Sequence, residues 1–99
     1  MSTETQASIV AWMLDTFGDT ATNLRIAVRM NEEMSELMSK LAVNDNDRAA
    51  AEEMADIVIT ACRMMDRLGV DLSEEITRKM AINRKRTWKL DGTGCGQHE

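Results

Sequence analysis

The spacing of its apolar residues restricts this chain to helices more strongly than any other sequence feature. Between residues 26 and 41 they recur mostly at steps of three and four, the period of one helix face. The members of this stripe are Ile26, Met30, Met34, Leu37, Met38 and Leu41. Proline is absent, runs of β-branched residues are scarce, and good helix formers dominate. The sequence therefore predicts an all-α fold.

Residues that begin and end helices divide the chain into four segments. We predict helices over residues 5–17, about 20–43, 48–68 and 71 to about 88, with a polar turn at 44–47. Gly18 and Gly69 are typical of helix ends, and Asp47 is a good N-cap. Asp71 and Glu74 have the spacing of a capping box.

The third segment carries the widest apolar surface of the chain. Its members are Ala51, Met54, Ala55, Val58, Ala61, Cys62, Met65 and Leu68, widened by Ile57 and Met64. An arc this wide indicates packing on more than one side, as in a bundle or an oligomer. Because 99 residues bury only a modest core, we expect one domain over 1–99, a four-helix bundle completed by oligomerisation. The glycine-rich tail at 89–99 is expected to be irregular.

Charge and composition argue against several classes of protein. The net charge of −5 disfavours binding to nucleic acid or to an anionic membrane. No apolar run approaches the length of a membrane span, and the first residues lack the pattern of a signal peptide. Cys62 and Cys95 form no disulfide framework, as expected of reduced thiols in a cytoplasmic protein. The single histidine, His98, rules out multi-histidine zinc sites within one chain.

Two pairs of carboxylates repeat one spacing on neighbouring helices. Glu33 and Glu36 are three residues apart on the second helix, and Glu53 and Asp56 repeat this on the third. An antiparallel hairpin would bring the pairs to similar height. Four clustered carboxylates repel one another unless a cation intervenes, and hard oxygen ligands suit Mg²⁺ or Mn²⁺. Either pair alone is the usual pattern of a solvated helix face, so spacing leaves both interpretations open.

Other candidate binding residues lie on the first and fourth helices. Lys79, Asn83 and Arg86 fall at i, i+4 and i+7 and share one helix face. That face suits phosphate binding, but it also suits a basic helix end that interacts with its own dipole. Trp12 is either a platform on which a base stacks or a core residue. Trp88 is expected to anchor the tail.

These motifs together resemble a known superfamily. The stretch Glu32–Glu36, followed after sixteen residues by Glu53–Asp56, is similar to the metal-binding signature of the all-α nucleotide pyrophosphohydrolases. That superfamily includes MazG, dimeric dUTPases and phosphoribosyl-ATP pyrophosphohydrolase. The segment 79–86 resembles the Lys and Asn region that MazG-like proteins use near substrate phosphates. The segment 88–98 resembles the end of MazG-like proteins of phages and mobile elements, some of which act on dATP or dGTP.

The resemblance implies a MazG-like fold and an enzyme. Such an enzyme would use Mg²⁺, or Mn²⁺, to hydrolyse (deoxy)nucleoside triphosphates to monophosphate and pyrophosphate. Its role would be nucleotide-pool house-cleaning or phage dNTP metabolism. The implied metal ligands and catalytic carboxylates are Glu33, Glu36, Glu53 and Asp56, and the implied substrate-binding residues are Lys79 and Asn83. Arg86, from its position on the same helix face, and Trp12, as a stacking platform, complete the predicted substrate-binding residues. Glu32 would lie outside the metal ligands. The resemblance also implies a dimer in which the second chain helps to complete the site, and the sequence leaves a homodimer or a homotetramer open.

Two alternatives remain open from the sequence. The chain could instead be a non-enzymatic helical dimerisation or interaction module, whose charged faces only keep it in solution. Within enzymes, the nearer alternative is a pyrophosphohydrolase of the phosphoribosyl-ATP type. A nucleic-acid binder fits worst, because the charge is negative and there is only one short basic stretch.

Overall fold

The computed structural model describes residues 3–43 and 47–98, so most of the predicted turn at 44–47 lies outside the described residues. The predicted all-α architecture is confirmed. The elements are α1 (Gln6–Phe17), α2 (Asn23–Val43), α3 (Asp47–Arg67), α4 (Leu72–Lys85), β1 (Trp88–Lys89) and β2 (Gln97–His98). None of the helices in these ranges combines the length and apolar content needed to cross a bilayer.

Local capping interactions set the helix boundaries close to the predicted positions. The Thr5 hydroxyl accepts a hydrogen bond from the Ser8 backbone N–H, and the Ser8 hydroxyl accepts one from the Thr5 N–H. α1 ends at Gly18, whose φ of 74° favours glycine. α2 begins at Asn23, slightly later than predicted, because the hydroxyl of Thr22 caps its first turn.

α2 and α3 form an antiparallel hairpin that holds most of the tertiary packing. Their direction follows from two contacts: Lys40 near the end of α2 meets Glu53 near the start of α3, whereas Glu33 meets Thr60 further from the turn. α1 packs against α3, and α4 contacts α3 less extensively. The buried apolar residues are Val10, Met13, Ile26, Ala50, Ile57 and Cys62.

The helix faces of α3 are distributed differently from the prediction. Much of the predicted apolar arc is exposed, including Met54 at 45% and Val58 at 44%. The buried residues of α3 are Ala50, Glu53, Ile57, Thr60 and Cys62, so two polar side chains lie inside. The reason is that α1 and α2 pack against the side of α3 that carries the carboxylates. We call the exposed residues Ala51, Met54, Ala55 and Val58 the outer arc.

The tail contains a short ladder where the sequence predicted irregular chain. β1 and β2 pair antiparallel, with Trp88 opposite His98. The Trp88 indole N–H donates to the Asn83 carbonyl at 2.9 Å, and its ring meets the His98 ring edge-on. Between the strands the Asp91 carboxylate accepts hydrogen bonds from the backbone N–H and the hydroxyl of Thr93, which closes a local turn. Trp88 therefore anchors the tail, as predicted.

Candidate active site

Three of the four predicted carboxylates converge between α2 and α3. Single carboxylate oxygens of Glu33, Glu53 and Asp56 all lie within 4.8 Å of one another. Glu33 and Glu53 are only 4% and 5% exposed, whereas Asp56 is open to solvent. The antiparallel hairpin produces this arrangement, because it turns the inner faces of both helices toward each other at one height.

Glu36 lies beside this cluster and contacts it through Glu53. It is one helical turn beyond Glu33 on α2, and its side chain is exposed. The neighbouring carboxylate of Glu53 raises the pKa of Glu36 above its ordinary value, because the two groups share a proton more readily than they share two negative charges. Glu36 thus borders the group of three rather than completing it.

Lys40 and Thr60 hold the two buried carboxylates. The Lys40 ammonium donates to Glu53 Oε2 at 2.6 Å, and this bond lowers the pKa of Glu53 and raises that of Lys40. The Thr60 hydroxyl lies 3.0 Å from Glu33 Oε1 and 3.0 Å from the Asp56 carbonyl oxygen. Both partners restrict the carboxylates to orientations that face each other.

The donor set suits a hard divalent cation. All three converging ligand atoms are carboxylate oxygens, which Mg²⁺ and Mn²⁺ prefer, whereas zinc sites favour histidine and cysteine. Two of the three carboxylates are almost fully buried. Burying a charge without compensation costs on the order of several kcal/mol per ion. A cation between α2 and α3 would supply that compensation.

A cleft of about 450 Å³ opens onto this cluster. Glu33 and Asp56 lie in its wall, together with the aromatic rings of Trp12 and Phe17. The two rings meet edge-on with centroids 5.6 Å apart. Trp12 is 56% exposed, so the alternative of a core tryptophan is wrong.

The cleft wall also contains three arginines that the sequence analysis missed, Arg25, Arg29 and Arg63. The guanidinium groups of Arg25 and Arg29 lie 3.7 and 3.1 Å from the carboxylate of Glu32, which therefore holds both near the cleft. A signal existed in the sequence, since Arg25, Arg29 and Glu33 follow one another at four-residue steps on one helix face. Nothing in the sequence alone showed that this face lines a cleft.

The predicted phosphate-binding residues of α4 are not brought to this place. Lys79, Asn83 and Arg86 neither line the cleft nor join the carboxylate cluster in the described part of the chain. Instead, the Asn83 carbonyl accepts hydrogen bonds from the Arg86 N–H and the Trp88 indole. Lys79 and Asn83 lie within α4, but the helix ends at Lys85, earlier than predicted, and Arg86 is its C-cap in an extended conformation. Spacing also does not tell on which side of the bundle α4 lies.

Comparison with known proteins assigns this four-helix fold with its hairpin carboxylates to a class. Residues 21–94 match the MazG-like family. A dATP/dGTP diphosphohydrolase of cyanophage S-2L is 38% identical over 96 residues, which cover 96% of this chain and 85% of that protein. A dATP/dGTP diphosphohydrolase of Salmonella phage PMBT28 is 28% identical over 95 residues, which span only 30% of its length.

A solved structure agrees with these sequence matches. It is the cyanophage S-2L MazG-like pyrophosphohydrolase bound to dGDP and three catalytic Mn²⁺ ions per active site, with a TM-score of 0.75 and 34% identity. The match covers 95% of this chain and 92% of that one. The chain belongs to the MazG-like family. The predicted family, the predicted fold and the prediction of an enzyme of this hydrolase class are therefore confirmed.

Proposed function

We propose that this protein hydrolyses deoxynucleoside triphosphates to the monophosphate and pyrophosphate, with Mg²⁺ as its metal and Mn²⁺ as a substitute. The observation that carries the proposal is the buried carboxylate cluster at the edge of a cleft lined by aromatic rings and arginines. Such a cleft offers separate places for a base, a polyphosphate and divalent cations.

The substrate class is proposed from the cleft and from the relatives together. The phage relatives are named for dATP and dGTP, and the cyanophage structure holds dGDP. The exposed ring of Trp12 beside Phe17 supplies a stacking surface for a purine. We therefore expect purine deoxynucleotides to be preferred, within nucleotide-pool house-cleaning or phage dNTP metabolism in the cytoplasm.

The residues divide the work along the cleft. Glu33, Glu53 and Asp56 would hold the divalent cation, with Glu36 as a further ligand at their border. When bound, the cation would neutralise phosphate charge and lower the pKa of bound water. A carboxylate of the cluster would orient or deprotonate the attacking water. Arg25 and Arg29 would pair with the phosphate oxygens, because guanidinium groups match phosphate in geometry and charge.

The assembly belongs to the same proposal. We propose a homodimer or homotetramer in which the outer arc of α3 meets a second chain. The α4 segment with Lys79, Asn83 and Arg86 would then act in the site of a partner subunit, since these residues do not line the cleft of their own chain.

The reaction is tested by incubating the protein with Mg²⁺ and a panel of NTPs and dNTPs, and by separating the products by ion exchange. We expect monophosphate and pyrophosphate in one step, fastest with dATP and dGTP. Glu53→Gln should lower the rate by more than about hundredfold, since loss of groups that merely support a metal ligand costs about 10- to 100-fold. Glu52→Gln, the exposed neighbour, is the matched control and should retain activity.

Three results would contradict the proposal. Release of orthophosphate and nucleoside diphosphate as the first products would show cleavage between the β- and γ-phosphates, not between the α- and β-phosphates. No cleavage of any nucleotide with Mg²⁺ or Mn²⁺ would favour the helical interaction module, while cleavage restricted to phosphoribosyl-ATP would favour that alternative substrate.

A further inference from the structure

The ion pair between Lys40 and Glu53 differs from the other ion pairs in the described ranges. The Glu53 side chain is only 7% exposed, whereas the carboxylates of the others, Glu32, Asp19 and Glu75, are 31% to 67% exposed. Lys40 lies four residues beyond Glu36 on α2, so it shares the face that carries the cluster. Its ammonium reaches across the hairpin to Glu53 Oε2 at 2.6 Å.

The chemistry of the pair follows from this burial. A carboxylate removed from water needs a partner of opposite charge, and Lys40 supplies it to Glu53 when no metal is bound. A divalent cation at the cluster needs the same carboxylate. The ammonium and the metal ion therefore compete for the Glu53 carboxylate, and each weakens the binding of the other.

The side chain of Lys40 is suited to such an exchange. It is 40% exposed, so it already borders solvent. Its flexible stem lets the ammonium leave for water while the methylenes stay packed on the helix. No helix has to move when the ammonium leaves.

We infer that Lys40 is an internal counter-ion, which holds Glu53 in position in the metal-free protein and is displaced from it by the catalytic metal. The inference rests on the proposed function in one respect, that Glu53 is a metal ligand. Lys40 is thus a positioning residue that stabilises the empty site and lowers the affinity of that site for metal.

The test uses the full chain in the Lys40→Met variant, which keeps the stem length and removes the charge. Mn²⁺ binding is measured by electron paramagnetic resonance, and thermal unfolding is followed in EDTA. We expect Mn²⁺ to bind about three- to tenfold more tightly, as removal of a competing ion pair of ordinary strength would give. The melting temperature in EDTA should fall, so the variant should gain more from Mn²⁺ than the wild type does.

Two controls isolate the contact from net charge and from packing. Arg78→Met changes the net charge equally but breaks only the exposed Arg78–Glu75 pair on α4, and its Mn²⁺ affinity should match the wild type. Lys40→Arg keeps the charge and should keep the weaker affinity. If Lys40→Met fails to fold, Lys40→Gln is the replacement.

Each outcome decides one of the two claims. Unchanged or weaker Mn²⁺ binding in Lys40→Met, while Glu53→Gln loses binding, overturns the counter-ion and leaves the proposed function intact. Mn²⁺ binding that Glu53→Gln does not alter removes Glu53 as a ligand and overturns the proposed site with it.

Discussion

Glu33 and Glu53 are the two charged side chains that the fold takes almost completely out of water in the described residues. Their burial is costly unless a partner compensates the charge. Thr60 offers Glu33 a single neutral hydroxyl, and Lys40 offers Glu53 a single ammonium. One positive charge is too little to compensate two buried carboxylates beside Asp56. The site is therefore better suited to a divalent cation than to its own internal partners.

Thr60 provides the first test at this scale. In Thr60→Val the volume is kept but Glu33 loses its hydroxyl partner, so the carboxylate is free to rotate away. We expect Mn²⁺ affinity to fall by about tenfold, the lower end of the range for residues that orient metal ligands. Thr60→Ser keeps the hydroxyl and should bind Mn²⁺ almost as the wild type does. Equal affinity in the valine variant would show that Glu33 is oriented by other means.

The sequence predicted these residues unevenly, and the reason is physical. The convergence of Glu33, Glu53 and Asp56 could be predicted because a repeated spacing on two helices is kept when they fold into a hairpin, although only the family resemblance gave these residues a role. Lys40 was missed because a lysine on a helix surface is ordinary until its partner is known to be buried. The exposure of Trp12 likewise depends on how α1 packs, which its own sequence does not state.

At the scale of elements, one face of α2 carries both the arginines and a carboxylate of the cleft. Arg25 and Arg29 lie on the turns before Glu33, so the helix leads from cationic side chains to the carboxylate cluster. A polyphosphate lying along this face would meet guanidinium groups at one end and the metal at the other.

Arg29→Met tests this arrangement. Loss of one charge-assisted hydrogen bond to phosphate, about 1–3 kcal/mol, should raise KM for dATP by about tenfold or more and change kcat less. Steady-state kinetics measure both values, and Arg84→Met, an exposed arginine on α4, is the control. A fall in kcat with unchanged KM would instead mean that Arg29 acts only in the transition state.

α3 shows what a sequence pattern leaves open. Its apolar arc was expected to pack against other helices or a second chain, and in the single chain the outer arc is exposed while Glu53 and Thr60 are buried. Periodicity identifies a helix face but not its neighbour, and here the neighbours α1 and α2 sit on the polar side. α3 contacts α1, α2 and α4, as a bundle helix should, whereas packing of the outer arc against a second chain stays a prediction.

At the scale of the whole molecule, several large apolar side chains on α3 and α4 are exposed in the single chain. Besides the outer arc, Ile76 and Met80 on α4 are 54% and 38% exposed. A 99-residue chain with so small a core would gain stability by burying such surface against another copy, as we propose.

Val58→Asp tests the assembly. A charge placed in a buried interface should shift the oligomer toward monomer, with dissociation at concentrations at least about tenfold higher than the wild type requires. Light scattering across a dilution series measures this, and Thr87→Asp, which adds the same charge at an exposed position outside the helices, is the control. A wild-type protein that is monomeric at micromolar concentration would contradict the predicted oligomer. Loss of activity in the monomer would support a role for Lys79 and Asn83 in the partner's site.

The placement of the carboxylates on both helices of one hairpin also bears on the lifetime of the protein in a cell. A cation held by Glu33 from one side and by Glu53 and Asp56 from the other would tie the two helices together. Its binding free energy is then added to the stability of the fold, and that addition grows with the concentration of free metal. Metal supply would thus govern how often the chain opens to proteases, so starvation for divalent cations would remove the enzyme as well as slow it.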